Sequence, residues 1–288
     1  MEDFRKSGKI AAEAREYGKK LVKEGVKHLE IAEKIEAKIK ELGGECAFPV
    51  DVSVNYVAAH DCPILDDDRI IKKGDLVLLD IGVHVNGAVT DTACTVEVGS
   101  RKNNKLIEAS EEALKEAIKL VKPGVKIREI GKKIQEVIQR YGFSPIKNLS
   151  GHGVGLYEIH TDPTIPNFDN GDENKLEKGM IIAIEPFATT GQGKVTDGKP
   201  SGVYSLVFKK NIRDLFTRKI LKFIEDNHKT LPFSTRSLVK EFGVRAKFAL
   251  SNLEREGIIK QYNVLPEISK GLVSQAEHTL IVGEEVLT

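Results

Sequence analysis

The chain has 288 residues, of which 40% are hydrophobic and 30% charged, and its 44 Lys and Arg residues nearly balance its 43 Asp and Glu residues. These values are typical of a folded protein with one large core, or with a main domain and a smaller one. The net charge of +1 gives no overall attraction to nucleic acid or to an anionic membrane, so a general polyanion-binding protein is excluded.

The N-terminal segment, MEDFRKSGKIAAEAREYGKK, is charged from its second residue and lacks the apolar core of a signal peptide. No later segment has the length and apolar character of a membrane span. We therefore expect a cytoplasmic protein with no membrane partner. The three cysteines, Cys46, Cys62 and Cys94, are an odd number without metal-like spacing, which favours reduced thiols over disulfides.

Apolar residues with helical spacing predict two pairs of helices in the first half of the chain, each helix ended by Gly or Pro-Gly. Segments rich in Val, Ile and Thr predict strands after each pair. In chain order, the predicted elements are two helices in 3–42 broken near Gly25, strands and loops in 45–99, helices at about 102–121 and 126–140, and strands with glycine-rich loops from 145 to about 208.

Residues 79–96, LDIGVHVNGAVTDTACTV, have the pattern of a β-hairpin with Asn86-Gly87 as its two-residue turn. The register set by this turn makes Asp80 and Asp91 diagonal neighbours on one face, with Cβ atoms about 7 Å apart. Two converging carboxylates repel each other unless a proton or a cation lies between them. The hairpin therefore predicts either a divalent cation site or two aspartates that face solvent.

An internal repeat relates two strand segments, IKKGDLVLLDIG at 71–82 and LEKGMIIAIEPF at 176–187. In each, an acidic residue lies six residues after the Lys-Gly pair, Asp80 in the first and Glu185 in the second. Chance similarity between short strands is the alternative. If the repeat is real, two halves face each other across a pseudo-twofold axis, and Glu277 in SQAEHTLIV is the later counterpart of Asp91.

About 60 to 80 residues are inserted in the second half before Glu277, and three helical patterns followed by a β-element make this segment resemble a winged-helix module. Such modules often bind DNA through a third helix rich in Arg and Lys. Here that helix carries acidic as well as basic residues, so we favour a structural insert beside the site over a nucleic-acid partner. The predicted boundaries are 207–265 for the insert, and 1–206 with 266–288 for the main domain.

The segment SGHGVGLYEIH, residues 150–160, adds His152 between two glycines that allow close backbone approach. Together with the repeat it completes a predicted set of four carboxylates and one imidazole. This set suits two divalent cations of the Mn²⁺, Fe²⁺, Co²⁺ or Zn²⁺ type, whereas Ca²⁺ prefers oxygen ligands alone. The set is Asp80, Asp91, His152, Glu185 and Glu277.

These motifs, with AFP at 47–49 and NYVAAH at 55–60, resemble the metal signature of the methionine aminopeptidase family. The inserted helices resemble its type II branch, and the short N-terminus resembles the archaeal form. The resemblance implies an α/β (α+β) pita-bread fold, in which a central antiparallel sheet is flanked by two helix pairs. It also implies removal of the initiator methionine from nascent proteins whose next residue is small.

Residue roles follow from the same resemblance. Asp80 is implied to bind one metal, Asp91 and Glu277 to bridge both, and His152 with Glu185 to complete the other. A metal-bridged water or hydroxide would be the nucleophile, with Glu185 as its general base. His60 and His160 are implied to orient the substrate and to stabilise the oxyanion. Phe48 and Ile159 are implied to line the methionine pocket. The resemblance does not identify the residues of its far wall, near residues 192–204.

The implied partners are nascent polypeptide N-termini near the ribosome, and the implied state is a monomer. One alternative is an Xaa-Pro dipeptidase or aminopeptidase P, which shares the fold and ligands but usually carries a separate N-terminal domain. The other alternative is a metal-free paralogue that uses the insert to contact nucleic acid or the ribosome. Such paralogues typically lose ligands, and all five are present here.

Overall fold

A computed structural model describes all 288 residues and contains two pairs of helices, a large sheet and a helical insert. The helices are α1 (Glu2–Leu21), α2 (His28–Glu41), α3 (Asn104–Leu120), α4 (Ile127–Arg140), α5 (Leu215–Asn227), α6 (Thr235–Phe242) and α7 (Ala246–Arg255). The strands are β1 (Glu45–Cys46), β2 (Asp51–Val54), β3 (Val57–Ala59), β4 (Leu76–Val85), β5 (Ala88–Glu97), β6 (Ser144–Pro145), β7 (Ser150–Gly155), β8 (Glu158–Pro166), β9 (Ile181–Ile184), β10 (Phe187–Thr189), β11 (Pro200–Leu206), β12 (Phe233–Ser234), β13 (Ile259–Asn263), β14 (Leu265–Pro266), β15 (Val273–Gln275) and β16 (Glu277–Ile281). The two predicted helix pairs are confirmed. None of the helices combines the length and apolar character that crossing a membrane requires.

The central sheet has eight antiparallel strands in the order β1-β4-β5-β16-β9-β7-β8, with β2 also paired to β4. One buried apolar cluster joins α1 and α2 to β2 and β4, and a second joins α3 and α4 to β9 and β16. Helix pairs therefore cover the sheet in two equivalent sections. This arrangement confirms the predicted pita-bread fold. The three cysteines are free thiols, as the sequence predicted.

The two halves repeat each other in detail. Helices α2 and α4 are both 14 residues long. The turn before each helix is anchored in the same way: the Gly25 N–H donates to the Ile71 carbonyl and the Gly124 N–H to the Leu176 carbonyl, both at 2.8 Å. Since β4 and β9 also lie at equivalent places on either side of β5 and β16, the predicted pseudo-twofold relation is confirmed.

The predicted hairpin register is also confirmed. Asp80 pairs with Ala93, and Asp91 pairs with Gly82. Asn86 and Gly87 both have positive φ, at 51° and 89°, as a tight turn that matches the strand twist requires. The turn thus places the two aspartates as diagonal neighbours on one face of the sheet.

The two halves meet where β5 lies beside β16, over a backbone ladder of only two residue pairs. Threonine hydroxyls extend this ladder on both sides. Thr279 Oγ1 donates to the Asp91 carbonyl and accepts its N–H, both at 2.8 Å. Thr95 Oγ1 makes the same pair of bonds to Gln275, at 2.8 and 2.9 Å. We call this junction of β5 and β16, together with the hydrogen bonds of Thr95 and Thr279, the seam.

The insert has its own buried core beneath α5, α6 and α7. Its helices pack with a three-stranded sheet of order β12-β11-β13, so a strand that precedes residue 207 belongs to the same module. The winged-helix assignment and the boundaries at 207 and 265 remain predictions. The three helices lie where the sequence predicted them.

A buried ion pair fastens the insert to the first helix pair. The Arg236 side chain on α6 is 3% exposed and binds Glu36 of α2 through two bonds of 2.7 and 2.9 Å. Glu36 Oε1 also accepts the Val50 N–H at 3.3 Å. The position of the insert is therefore coupled to the chain that leads into β2.

Removing the charge of Arg236 tests this coupling. Arg236→Met should lower the free energy of unfolding by about 3 kcal/mol, because Glu36 is left without its cation. The double variant Arg236→Met with Glu36→Met should recover part of that loss. Urea denaturation measures both, and Lys34→Met, which breaks an exposed pair with Glu30, is the control with an expected change below about 0.5 kcal/mol. A double variant no more stable than the single one would contradict this account.

Candidate metal centre

Five predicted metal ligands converge on one face of the central sheet. Asp80 and Asp91 project from β4 and β5, His152 from β7, and Glu277 from the first position of β16, while Glu185 directly follows β9. His152 Nε2 lies 3.8 Å from Asp91 Oδ2 and 3.7 Å from Glu185 Oε1. Asp91, His152 and Glu277 each offer a ligand atom within 4.8 Å of the others.

The four carboxyl groups are held largely away from water. Desolvation raises the pKa of Asp80 to about 6. It also raises the pKa of Asp91 and Glu277, and the neighbouring carboxylates raise both further. The pKa of Glu185 is raised by desolvation and then by the charge of Asp80. Without a cation these carboxyl groups therefore favour the protonated form, and a bound cation would favour their ionised form.

His152 is prepared to act as a neutral ligand. Burial, followed by the nearby His160, lowers its pKa to about 3. Its Nδ1 donates to the Gly153 carbonyl at 3.1 Å, which leaves the Nε2 lone pair directed at the carboxylates. This is the tautomer and the charge state that a metal-ligating histidine requires.

The residues present fit a divalent metal. Asp80 Oδ1, Asp91 Oδ1 and Glu277 Oε1 are buried atoms without any hydrogen-bond partner. Buried carboxylate oxygens without partners are strongly destabilising unless a cation binds them. Oxygen donors combined with one imidazole suit Mn²⁺, Fe²⁺, Co²⁺ or Zn²⁺.

One neighbour of the centre was missed from the sequence. Gln275 Nε2 donates to Glu185 Oε2 at 3.2 Å and to Glu277 Oε2 at 3.4 Å, and no other side chain donates to these two carboxylates. Gln275 ends β15 and Glu277 begins β16, with only Ala276 between them, and the Gln275 amide reaches the Glu277 carboxylate across this junction. The closeness of Gln275 to Glu277 in the sequence was the only available signal.

The centre opens into a cavity of about 780 Å³. Among the predicted site residues, Glu277 is the one that does not line it, because it lies buried beneath the others at 1% exposure. The structure therefore brings the predicted metal ligands and the predicted substrate-binding residues into one space. The predicted residues that line the cavity are Phe48, His60, Asp80, Asp91, His152, Ile159, His160 and Glu185.

His60 is fixed from both its backbone and its ring. Its φ of 62° is unusual for a residue with a Cβ, and its N–H donates to Asp51 Oδ2 at 2.9 Å. The ring Nδ1 donates to the Asn263 carbonyl at 3.1 Å, and the ring lies edge-on to Tyr262. Nε2 is therefore available as an acceptor. No sequence motif singles out Asp51, because its contact with His60 forms only in the folded chain.

The two predicted pocket residues come from different parts of the fold. The Phe48 ring occupies the space beside Gly82, where an added Cβ would lie 2.2 Å from the ring. Ile159 is buried in a small apolar cluster that includes Phe48 at its edge. Val203, Tyr262 and Leu265, from β11, β13 and β14, also line this cavity, and of these only Val203 lies within residues 192–204.

Glu277→Gln tests whether the centre binds metal. Without metal, we expect the variant to be more stable to urea than the wild type at neutral pH, because a neutral amide replaces a buried carboxyl group whose ionisation is disfavoured by burial and by its acidic neighbours. We expect it to lose the Mn²⁺ stabilisation of the wild type, about 2.7 kcal/mol at a hundredfold excess over Kd. Urea unfolding in EDTA and in Mn²⁺ measures both, with exposed Glu254→Gln as the control. Full Mn²⁺ stabilisation of Glu277→Gln would rule out its role as a ligand.

Comparison with known proteins places this site in a family. The sequence matches the model of metallopeptidase family M24 over residues 2–243. It is 46% identical over 276 residues to the methionine aminopeptidase of Archaeoglobus fulgidus, covering 96% of this chain and 93% of that protein. The crystal structure of methionine aminopeptidase from Thermotoga maritima has a TM-score of 0.73 at 26% identity, covering 100% of this chain and 95% of that one. Prolidase from Pyrococcus furiosus is 34% identical with a TM-score of 0.56. That match spans only 65% of this chain and 55% of the prolidase. The chain therefore belongs to metallopeptidase family M24 and, within it, to the methionine aminopeptidases.

Proposed function

We propose that the protein removes the initiator methionine from nascent polypeptides whose second residue is small. The observation that carries this proposal is that a partly apolar compartment, with Phe48 and Ile159, opens on the same cavity as the acidic centre. An unbranched thioether suits such a compartment, because it adapts to an irregular apolar surface. The names of the archaeal relatives support the same activity.

The five ligands suit two divalent ions, drawn from Co²⁺, Mn²⁺, Fe²⁺ and Zn²⁺. Across the sheet, Asp80 lies on one side, Asp91 and Glu277 flank the seam, and His152 with Glu185 lie on the other side. This order supports Asp91 and Glu277 as the central ligands of the set. Ions held there would supply the charge that polarises a scissile carbonyl and lowers the pKa of an attacking water.

Glu185 is positioned to act as general base. Burial raises the pKa of Glu185, and the charge of Asp80 raises it further, so the carboxylate is a stronger base than an exposed glutamate. One oxygen accepts from Gln275, which fixes the side chain, and the other faces the cavity beside His152. Gln275 therefore holds the base in place while the second oxygen receives the proton.

The two histidines orient the substrate from different walls of the cavity. His60 has its Nδ1–H committed to Asn263, so its Nε2 can accept an N–H of the peptide. His160 is exposed, and its ring lies edge-on to His152 with centroids 4.4 Å apart. His160 would then donate its ring N–H to the developing oxyanion and so stabilise it.

A peptide panel separates this function from proline-directed cleavage. Wild type with Mn²⁺ or Co²⁺ should cleave Met-Ala-Ser about 100-fold better than Met-Leu-Ser, because a larger second residue does not fit beside the metal centre. It should leave Ala-Pro-Ser intact. Asp91→Asn should abolish cleavage, whereas Glu254→Gln should retain it. Faster cleavage of the Xaa-Pro peptide would favour the dipeptidase alternative.

We also propose that the protein works as a monomer in the cytoplasm, close to ribosomes. Residues 207–265 contain 13 Lys and Arg against six Asp and Glu, a net charge of +7, so the remaining residues carry −6. This segregation supports approach to an anionic surface through the insert.

Sedimentation with ribosomes tests the location. We expect co-sedimentation at 50 mM salt that is largely lost at 300 mM, because exposed charges are screened over this range. Replacing Lys209 and Lys210 of the insert by Gln should weaken it, and replacing Lys115 and Lys119 of α3 should not. A free DNA duplex should show no binding, and salt-independent sedimentation would contradict an electrostatic contact.

A further inference from the structure

A strained turn leads into the substrate-binding wall of the cavity. It joins β7 to β8, and Tyr157 at its tip has a φ of 59°. A residue with a Cβ keeps such a conformation only where its surroundings hold it there. Ile159 and His160, which line the cavity, follow within three residues. The position of this wall therefore depends on what holds Tyr157.

On one side, Tyr157 rests on the tip of the β4–β5 hairpin. Its N–H donates to the Gly87 carbonyl at 2.7 Å. Its ring covers Gly87 so closely that an added Cβ there would lie 2.2 Å from Cε2. The absence of a side chain at residue 87 is therefore a condition for this contact as well as for the turn itself.

On the other side, Tyr157 contacts residues of the insert. Lys229 Nζ lies 3.4 Å from the centre of the tyrosine ring, and the Thr230 hydroxyl donates to the Tyr157 carbonyl. Lys229 also has a positive φ, of 54°. The next residue, Leu231, is buried in the same apolar cluster as Ile159. Three consecutive residues of the insert thus contact the turn or the wall that it carries.

We propose that Tyr157 is a positioning residue for substrate recognition. Lys229 and Thr230 hold it against Gly87, and these four residues form what we call the Tyr157 latch. The latch fixes Ile159 and His160 at the cavity, so the insert sets the shape of the substrate pocket while it contributes no metal ligand. This inference rests on the proposed aminopeptidase function.

A matched pair of glycine variants tests the latch. Gly87→Ala places a Cβ into the Tyr157 ring, whereas Gly124→Ala, with nearly the same φ of 90°, has nothing within 4 Å. Both carry the same backbone strain. For Gly87→Ala we expect kcat/KM for Met-Ala-Ser to fall about tenfold through a higher KM and a lower kcat, because Ile159 and His160 shift together, with Mn²⁺ affinity within about twofold of wild type. For Gly124→Ala all three should stay within about twofold.

Side-chain variants provide a second test that leaves the hairpin turn intact. Tyr157→Leu should raise KM as Gly87→Ala does. Tyr157→Phe should restore a nearly normal KM, because the ring makes the contacts and the hydroxyl makes no hydrogen bond. Lys229→Met should raise KM about two- to fivefold through loss of the cation–π contact. If Gly87→Ala does not fold, these variants decide the question.

The outcomes distinguish the latch from the proposed function. A wild-type protein that cleaves no Met-Ala-Ser with added metal would overturn the proposed function. An active wild type, with Gly87→Ala and Tyr157→Leu equal to Gly124→Ala in KM, would overturn the latch. Parallel losses of Mn²⁺ affinity and thermal stability would also overturn it, since they would indicate a purely structural role.

Discussion

Four carboxyl groups share one poorly hydrated space at the seam, and the rest of the molecule is arranged around that fact. Desolvation raises the pKa of each, and Gln275 is the sole side-chain donor to two of them. Two helix pairs and their apolar cores hold the sheet around this unfavourable cluster. A cation bound there would offset the unfavourable burial of these carboxyl groups, so metal binding should raise the free energy of unfolding.

The repeat explains how such a cluster arises in a single chain. Each half supplies a pair of strands that carry one acid each, and antiparallel pairing at the seam brings the two pairs together. A two-pair ladder alone would hold β5 and β16 weakly. The hydroxyls of Thr95 and Thr279 replace the missing backbone bonds on either side, so the acids stay in register without further strand contact.

The hairpin and the positions of its acidic residues could be predicted, because short local sequence patterns determine them. The Asn86-Gly87 turn determines the hairpin register, and the Lys-Gly repeat locates Glu185 as the counterpart of Asp80. The assignment of individual metal and substrate roles came from family resemblance. The contact of Asp51 with His60, and the place of Tyr262 in the lining of the cavity, could not be predicted, because they join residues without a shared sequence pattern.

The fold supplies the proposed metal ligands and the proposed substrate-binding residues from different elements. All five proposed metal ligands lie on or directly beside strands of the central sheet, and none of them is hydrogen-bonded to the insert. Both substrate-facing histidines depend on it: His60 is bonded to Asn263, and His160 follows the turn that Lys229 holds. Because no hydrogen bond joins the insert to these carboxylates and His152, sequence changes in the insert act first on the pocket and reach the centre only where His160 packs against His152 and Tyr157 rests on Gly87. A chain of this design can therefore alter which N-termini it accepts without rebuilding its metal centre.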